Sequence, residues 1–170
     1  VEPVYQAANV ACAVALAEAH LGRALAQDAL FESLVTCPTP GRFQLLRPDP
    51  PVLIDACHNP QSVEAFLSAV AAVEPDVARR PHLLCAVLAD KDVAGIVRLL
   101  APAFPSVCVT QTASPRALAV HELAGLFREA GATVTAEYPD VASATSALCG
   151  ESYVACGSIT LAGEVAGLLA

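Results

Sequence analysis

The chain has no methionine and one lysine, Lys91, and its 9 basic residues against 17 acidic ones leave a net charge of −8. A duplex-binding surface needs clustered Lys and Arg to neutralise phosphates. Only the adjacent Arg79 and Arg80 come near that, so no nucleic acid partner is expected. The lysine follows Asp90, whereas the phosphate loop G-x-x-x-x-G-K-[ST] requires Gly before Lys, and the chain therefore contains no such loop. G-x-G-x-x-G, H-E-x-x-H and G-x-S-x-G are missing as well. The longest uncharged apolar stretch, Ala7–Ala17, falls far short of the roughly 20 residues a spanning helix needs, so no membrane partner is expected either. No signal peptide is recognisable at the N-terminus, which lacks a charged flank and a small-residue cleavage site. With Val1 in first place and no start methionine, a piece of something longer is the expectation.

What is present reads as one domain with a short extra piece: 170 residues, 55% of them hydrophobic, with a mean hydropathy of +0.55. A chain of this length buries roughly 70% of the surface its unfolded form exposes, so it needs no metal or disulfide staple. Seven cysteines stand at 12, 37, 57, 85, 108, 149 and 156, without a C-x-x-C pair and mostly inside apolar runs. They read as small buried hydrophobes in a reducing cytosol, and no clustered zinc ligands accompany them.

The order of elements is informative. Tyr5 to about Gly22 is Ala-rich and unbroken, a helix with Gly at its C-terminus, and a weaker helix covers about Ala24–Leu34. Pro38, Pro40 and Gly41 then mark a linker. Beyond it, short apolar runs alternate with helical stretches. Strands are expected at Phe43–Arg47, Val52–Asp55, His82–Leu88, Ser106–Thr110, Thr133–Ala136 and Tyr153–Cys156. Helices are expected at Pro60 to about Val73 with Asn59 as N-cap, at Val93–Leu100, from Ser114-Pro115 to about Ala130, near Val141–Leu148, and after Ser158. Such a series predicts an α/β, Rossmann-like fold: a mostly parallel sheet with helices on both faces and one antiparallel edge strand. Preceding it, residues 1–38 read as a helical tail and linker, and residues 39–170 as the sheet domain.

In such sheets ligands collect at the carboxyl ends of strands, beside helix N-termini. The residues at those positions are Asp55, His58 and Asn59; Asp90, Lys91 and Asp92; and Gly157 and Ser158, with Arg42 just ahead of the first strand. Each admits two readings. Asp55 serves a turn or a ligand, and His58 is a surface histidine or, with Asp55, an orienting pair for a ribose, a phosphate or a carboxylate. Lys91 between two aspartates makes local ion pairs or binds an anion. Ser158 caps a helix whose free N–H groups also suit a carboxylate or phosphate. Arg42 is a rim charge or a phosphate clamp on a hinge.

Four spaced motifs, Pro40-Gly41-Arg42-Phe43-Gln44, Asp55-x-x-His58-Asn59-Pro60, Leu88-Ala89-Asp90-Lys91-Asp92 and Gly157-Ser158-x-x-Leu161-Ala162-Gly163-Glu164, occur in order. They resemble the C-terminal domain of the folylpolyglutamate synthase family, including its dihydrofolate synthase forms, within the Mur ligase superfamily. Tyr5-Gln6-Ala7-Ala8-Asn9 is similar to the helix closing that family's central ATPase domain. The resemblance implies a cytoplasmic, ATP-dependent amide ligase of folate biosynthesis. ATP and Mg²⁺ convert a folate or pteroate carboxylate into an acyl phosphate, and the amine of L-glutamate attacks it. It also implies roles by matched position. Asn9 contacts the adenine, Arg42 reaches the terminal phosphates, and Asp55 is associated with the ribose and domain closure. His58 lies near the incoming glutamate, and Ser158 holds its carboxylate. Lys91 and Asp92 match a recurrent pair whose role is either glutamate binding or domain contact. The family's D-G-A-H-N-P form is here Asp55-Ala56-Cys57-His58-Asn59-Pro60, small residues in both. The phosphate loop and metal ligands of the family belong to its N-terminal part, so no metal site and no catalysis by this stretch alone are expected, and its own ATPase domain is an expected partner.

Gln44, the Ala-Asp-Lys-Asp run and the Leu-Ala-Gly-Glu tail favour the folate enzyme over cyanophycin synthetase, which shares two of the motifs, and over muramyl ligases. The other class of reading is a non-catalytic, free-standing α/β module that binds a nucleotide or a partner protein. An apolar face left exposed on residues 5–34 would favour the ligase domain, and a covered or polar face the free-standing module.

Overall fold

The computed structural model describes residues 5–170, so the first four residues of the expected helical tail lie outside the described residues. The chain divides into two compact units, one ending at Pro40 and one spanning Gly41–Ala170. The first holds α1 (Tyr5–Leu21) and α2 (Gln27–Thr36). Gly22 terminates α1 at φ 65°, a left-handed conformation that suits glycine. The second helix starts three residues later than its sequence suggests. Glu18 accepts the Leu25 N–H at 2.9 Å, which holds the connection open before α2 begins.

The second unit contains β1 (Gln44–Pro48), β2 (Pro51–Ile54), α3 (Pro60–Val73), β3 (His82–Cys85), α4 (Val93–Leu100), β4 (Val107–Val109), α5 (Val120–Glu129), β5 (Val134–Glu137), α6 (Val141–Ala147), β6 (Tyr153–Cys156) and α7 (Ile159–Leu169). The strands form one sheet in the order β1-β2-β6-β3-β4-β5. Only the β1–β2 edge pair is antiparallel; the other neighbours run parallel. This is the expected Rossmann-like architecture.

Side chains alternate across the sheet, as the two-residue strand repeat demands. Leu83, Cys85, Val107, Val109, Val154 and Cys156 face a core built with α3, α4 and α5. Leu84, Cys108, Tyr153, Ala155, Val52 and Ile54 face a second core built with α6 and α7. The helices are set by local chemistry. Asn59 and Ser62 form a reciprocal capping box at α3, with Pro60 in the first turn, and Asp92, Asp140 and Ser158 accept N–H groups at the starts of α4, α6 and α7.

Two expectations are corrected. Ser114-Pro115 does not cap α5. Pro115 occupies the second position of a turn closed by Ala117 N–H donating to Ser114 C=O at 3.0 Å, and the chain then pairs with Leu88 through Ala117 before α5 begins at Val120. The bonds offered by Ala89 N–H to Arg116 C=O and by Leu118 N–H to Val87 C=O, at 2.8 and 3.0 Å, outcompete an early helix start. The same pairing ends β3 at Cys85 and turns Ala86–Leu88 into connection. The cysteines are also not uniformly buried: Cys57, Cys85, Cys108 and Cys156 are, whereas Cys12, Cys37 and Cys149 are exposed. The first two belong to the helical unit, and Cys149 sits in the connection after α6.

Candidate functional site

Because β6 is inserted between β2 and β3, neighbouring strands send their chains to opposite faces. The exits of β2 and β3 lead to α3 and α4 on one face, and the exit of β6 leads to α7 on the other. The backbone parts there and leaves a crevice at the carboxyl edge, the usual ligand position in such sheets. His58 and Asn59 follow β2, Asp90–Asp92 follow β3, and Gly157-Ser158 follow β6, so the structure brings these residues to one edge.

The turn after β2 is tightly specified. Asp55 is only 1% exposed. Its Oδ1 accepts the Cys57 N–H and its Oδ2 the Phe43 N–H, each at 2.8 Å. A buried carboxylate costs several kcal/mol unless hydrogen-bonded, and here backbone donors meet it. Ala56 N–H donates to Gly41 C=O at 2.7 Å, and Gln44 Oε1 accepts the Gly41 N–H at 2.8 Å. These bonds fold the Gly41–Phe43 segment onto the β2 turn. Gly41 and Phe43 both adopt positive φ, 69° and 45°. The Phe43 ring packs on Phe66 at 5.9 Å between centroids. Arg42, between them, is half-buried, and no hydrogen bond or ion pair holds its guanidinium among the described residues.

His58 is anchored at both ends. Its N–H donates to Ser62 Oγ at 3.0 Å, and Nδ1 lies 3.0 Å from Ala56 C=O. A carbonyl only accepts, so Nδ1 carries a proton and Nε2 is the ring nitrogen left for an incoming group. Ser158 is 1% exposed, and its Oγ accepts the Leu161 N–H at 3.1 Å. Its hydroxyl proton remains available beside the positive end of α7. Gly157 allows this approach: at φ 117° it passes so close to the β3 exit that an added Cβ would stand 2.8 Å from Ala86 O and 2.9 Å from Cys85 Sγ.

Beneath the crevice the floor is lined by the buried thiols of Cys57, Cys85 and Cys156. The Cys156 thiol is held well above its usual range, first by its hydrogen bond with Cys57 and then by burial, and burial pushes Cys85 up too. Both therefore stay protonated and inert as nucleophiles.

Arg116 is a residue that sequence reasoning passed over. The Ser114–Ala117 turn sets its guanidinium 3.0 Å from Asp90 Oδ2, which Lys91 Nζ also approaches at 3.7 Å. Two cations share one carboxylate at the edge of the crevice. The signal was legible, since Ser followed by Pro is a turn start as readily as a helix cap. Asp92 is spent on capping α4. Asn9 belongs to the other unit, where its amide donates to Gln6 Oε1 at 2.7 Å and it lines, with Gln6, Val10 and Leu34, an open concavity of about 360 Å³. Among the described residues no group of three or more His, Cys, Asp or Glu is placed to hold a metal ion.

These features define a class: a doubly wound α/β domain with a crevice at its carboxyl edge. The chain matches the family described as Mur ligase, glutamate ligase domain, over residues 41–158, and it belongs to that family. The dihydrofolate synthase/folylpolyglutamate synthase of Mycobacterium tuberculosis is 43% identical over 124 residues, 71% of this chain and 25% of the relative. The Escherichia coli enzyme of the same description is 30% identical over 98 residues, 58% of this chain and 22% of the relative. A solved M. tuberculosis folylpolyglutamate synthase, complexed with ADP and AMPPCP, superposes with a TM-score of 0.86 at 33% identity, covering 98% of this chain and 40% of that one. The chain thus spans about a quarter of the first of these curated relatives.

Proposed function

We propose that this chain is the C-terminal, amino-acid-delivering domain of an ATP-dependent ligase that joins L-glutamate to a folate or dihydropteroate carboxylate. The observation that carries the reading is the pairing, through one buried carboxylate, of an Arg42 guanidinium without a partner among the described residues with a His58 ring held through Nδ1, at the crevice of a Mur ligase-family domain. The M. tuberculosis relatives, which are named for this activity and in one case hold ADP and AMPPCP, support it.

In this reading the carboxylate first takes the terminal phosphoryl group of ATP, releasing ADP. The amine of glutamate then attacks the acyl phosphate carbonyl, phosphate leaves, and the nitrogen gives up a proton. Arg42 meets the negative charge of the transferring phosphoryl group, which a fixed guanidinium stabilises most where charge develops. His58 Nε2 accepts a proton or hydrogen bond from the incoming ammonium group. Ser158, the start of α7 and the Lys91–Arg116 pair receive glutamate carboxylates. Asn9, on α1, meets the adenine. The Mg²⁺ expected with ATP has its ligands outside the described residues. Residues 1–38 are the last helices of an upstream ATPase domain plus a linker. Their exposed Leu16 and Phe31, each 71% accessible, and Val35 are the face that packs against the rest of that domain. The enzyme works in the cytoplasm.

The test is ADP release by the full-length protein carrying this chain, given Mg-ATP, L-glutamate and either a reduced folate or dihydropteroate. Folate- or pteroate-dependent ADP is expected, reduced on the order of 100-fold or more in Arg42→Ala or His58→Ala. Turnover triggered only by a peptide or muramyl acceptor would keep the family and overturn the substrate.

A further inference from the structure

We propose that Ser62 is a positioning residue: beyond starting α3, its hydroxyl fixes the backbone of His58 and with it the direction of the imidazole. The proposal rests on the functional reading above and deepens it.

The hydrogen bonds argue for this role. A hydroxyl has one proton to give and two lone pairs to receive with, and Ser62 uses all three. Its Oγ donates to Asn59 C=O at 2.9 Å and accepts the N–H groups of Asn59 and His58 at 3.1 and 3.0 Å. The start of α3 accounts for only part of this. A capping box asks the third helical residue for one bond, to the N–H of the cap. Asn59 returns that bond by accepting the Ser62 N–H at 2.9 Å. The bond to His58 lies one residue further back, outside the helix, where the cap has no use for it.

Ser62 is well placed to hold a ring. It sits in the first turn of α3, whose Val63, Phe66 and Val70 are buried in one core against the sheet, so its hydroxyl has a fixed position. His58 is then held twice, at its N–H by Ser62 and at Nδ1 by Ala56 C=O at 3.0 Å. Only the two side-chain torsions of a histidine separate those points. Holding both therefore sets the direction of Nε2, the nitrogen assigned above to the incoming amine. Without the Ser62 bond the ring keeps one anchor, and the peptide between Cys57 and His58 is free to turn. A misplacement of about 1 Å at such a site costs on the order of 100-fold in rate.

The experiment is a double-mutant cycle in the full-length protein, read as ADP release with Mg-ATP, L-glutamate and dihydropteroate. Ser62→Ala alone is expected to lower kcat on the order of 100-fold with KM for ATP unchanged. Ser62→Thr, which keeps the hydroxyl, is expected to recover most of that loss. In a His58→Ala background Ser62→Ala is expected to add little, since the ring being held is gone. Losses that multiply, or a Ser62→Thr enzyme as slow as Ser62→Ala, would overturn the positioning role while leaving the site reading intact. A rise in KM for ATP with kcat retained would overturn it too. A His58→Ala enzyme with full turnover would overturn the site reading, and this proposal with it. Should Ser62→Ala fail to fold, amide exchange in the unaltered protein decides. The His58 and Asn59 amides, bound to one oxygen, are expected to be protected and to exchange together. A His58 amide exchanging at the rate of an open loop refutes the tether.

Discussion

Alanine in place of Gly157 and alanine in place of Gly163 should shift stability in opposite directions, although both glycines lie within the same motif. At Gly157 the backbone has φ 117°, a region that side chains rarely enter, and an added Cβ would stand 2.8 Å from Ala86 O, 2.9 Å from Cys85 Sγ and 3.3 Å from Val87 Cγ2. The strained dihedral costs about 1–3 kcal/mol. Overpacking against backbone in a closed core costs about 1–3 kcal/mol more. Together about 2–6 kcal/mol is expected, a fall in the urea midpoint of about 1–3 M for a domain of this size. Gly163, in the middle of α7, has nothing within 4 Å of an added Cβ. There alanine should stabilise by about 0.5–1 kcal/mol, by removing the backbone entropy glycine loses in a helix. Urea unfolding followed by far-UV circular dichroism measures both. A Gly157→Ala midpoint within about 0.3 M of the unaltered protein would show that the β3 exit yields to β6 and would refute the close-approach argument.

Two further outcomes follow from buried groups. The Tyr153 hydroxyl is buried with no partner among the described residues, so Tyr153→Phe should be neutral or stabilise by up to about 1 kcal/mol in the same unfolding assay; a loss above that would reveal a bond it makes. Cys85 and Cys156 are raised in the fold, chiefly by burial for the first and by the Cys57 bond and burial for the second, whereas unfolded thiols ionise near pH 8.5. Above that pH the unfolded chain binds fewer protons, so stability falls as pH rises, by about 2 kcal/mol per thiol between roughly pH 8.5 and 10. Cys85→Ala should flatten that alkaline slope by one thiol's share, and an unchanged slope would refute the assignment.

Legibility tracked the range of the interaction. Asn59 as N-cap, Pro60–Val73, Val93–Leu100, Tyr153–Cys156 and the Ser158 cap all lie where the sequence places them. The caps and helices depend on contacts within four residues, and a polar cap followed by an apolar helix has few competing solutions; Tyr153–Cys156 was legible as a short apolar run although its partners in β2 and β3 are distant in the chain. Ser114-Pro115 went astray because a helix start and a turn use the same residues, and the choice rests on bonds to Ala89 and Val87, more than twenty positions away. That distant pairing is also what carries Arg116 to Asp90. Of the candidate site, the strand-end residues and their gathering at the carboxyl edge were legible, whereas the place of Arg116, brought in by that distant pairing, was not.

The alternation of strands and helices, the caps that start α3 and α7, and the motifs that mark the family were all readable in the chain itself. These rest on local propensity and on a hydrophobic period that any reading of the chain can see. Three-dimensional packing settled that β6 enters between β2 and β3, which opens the crevice, and which four cysteines lie inside. It alone decided that Asp55 spends its carboxylate on Phe43, twelve residues back, and on Cys57. Strand order is settled by how two cores fill simultaneously, and a buried carboxylate takes whichever N–H groups that packing brings within reach.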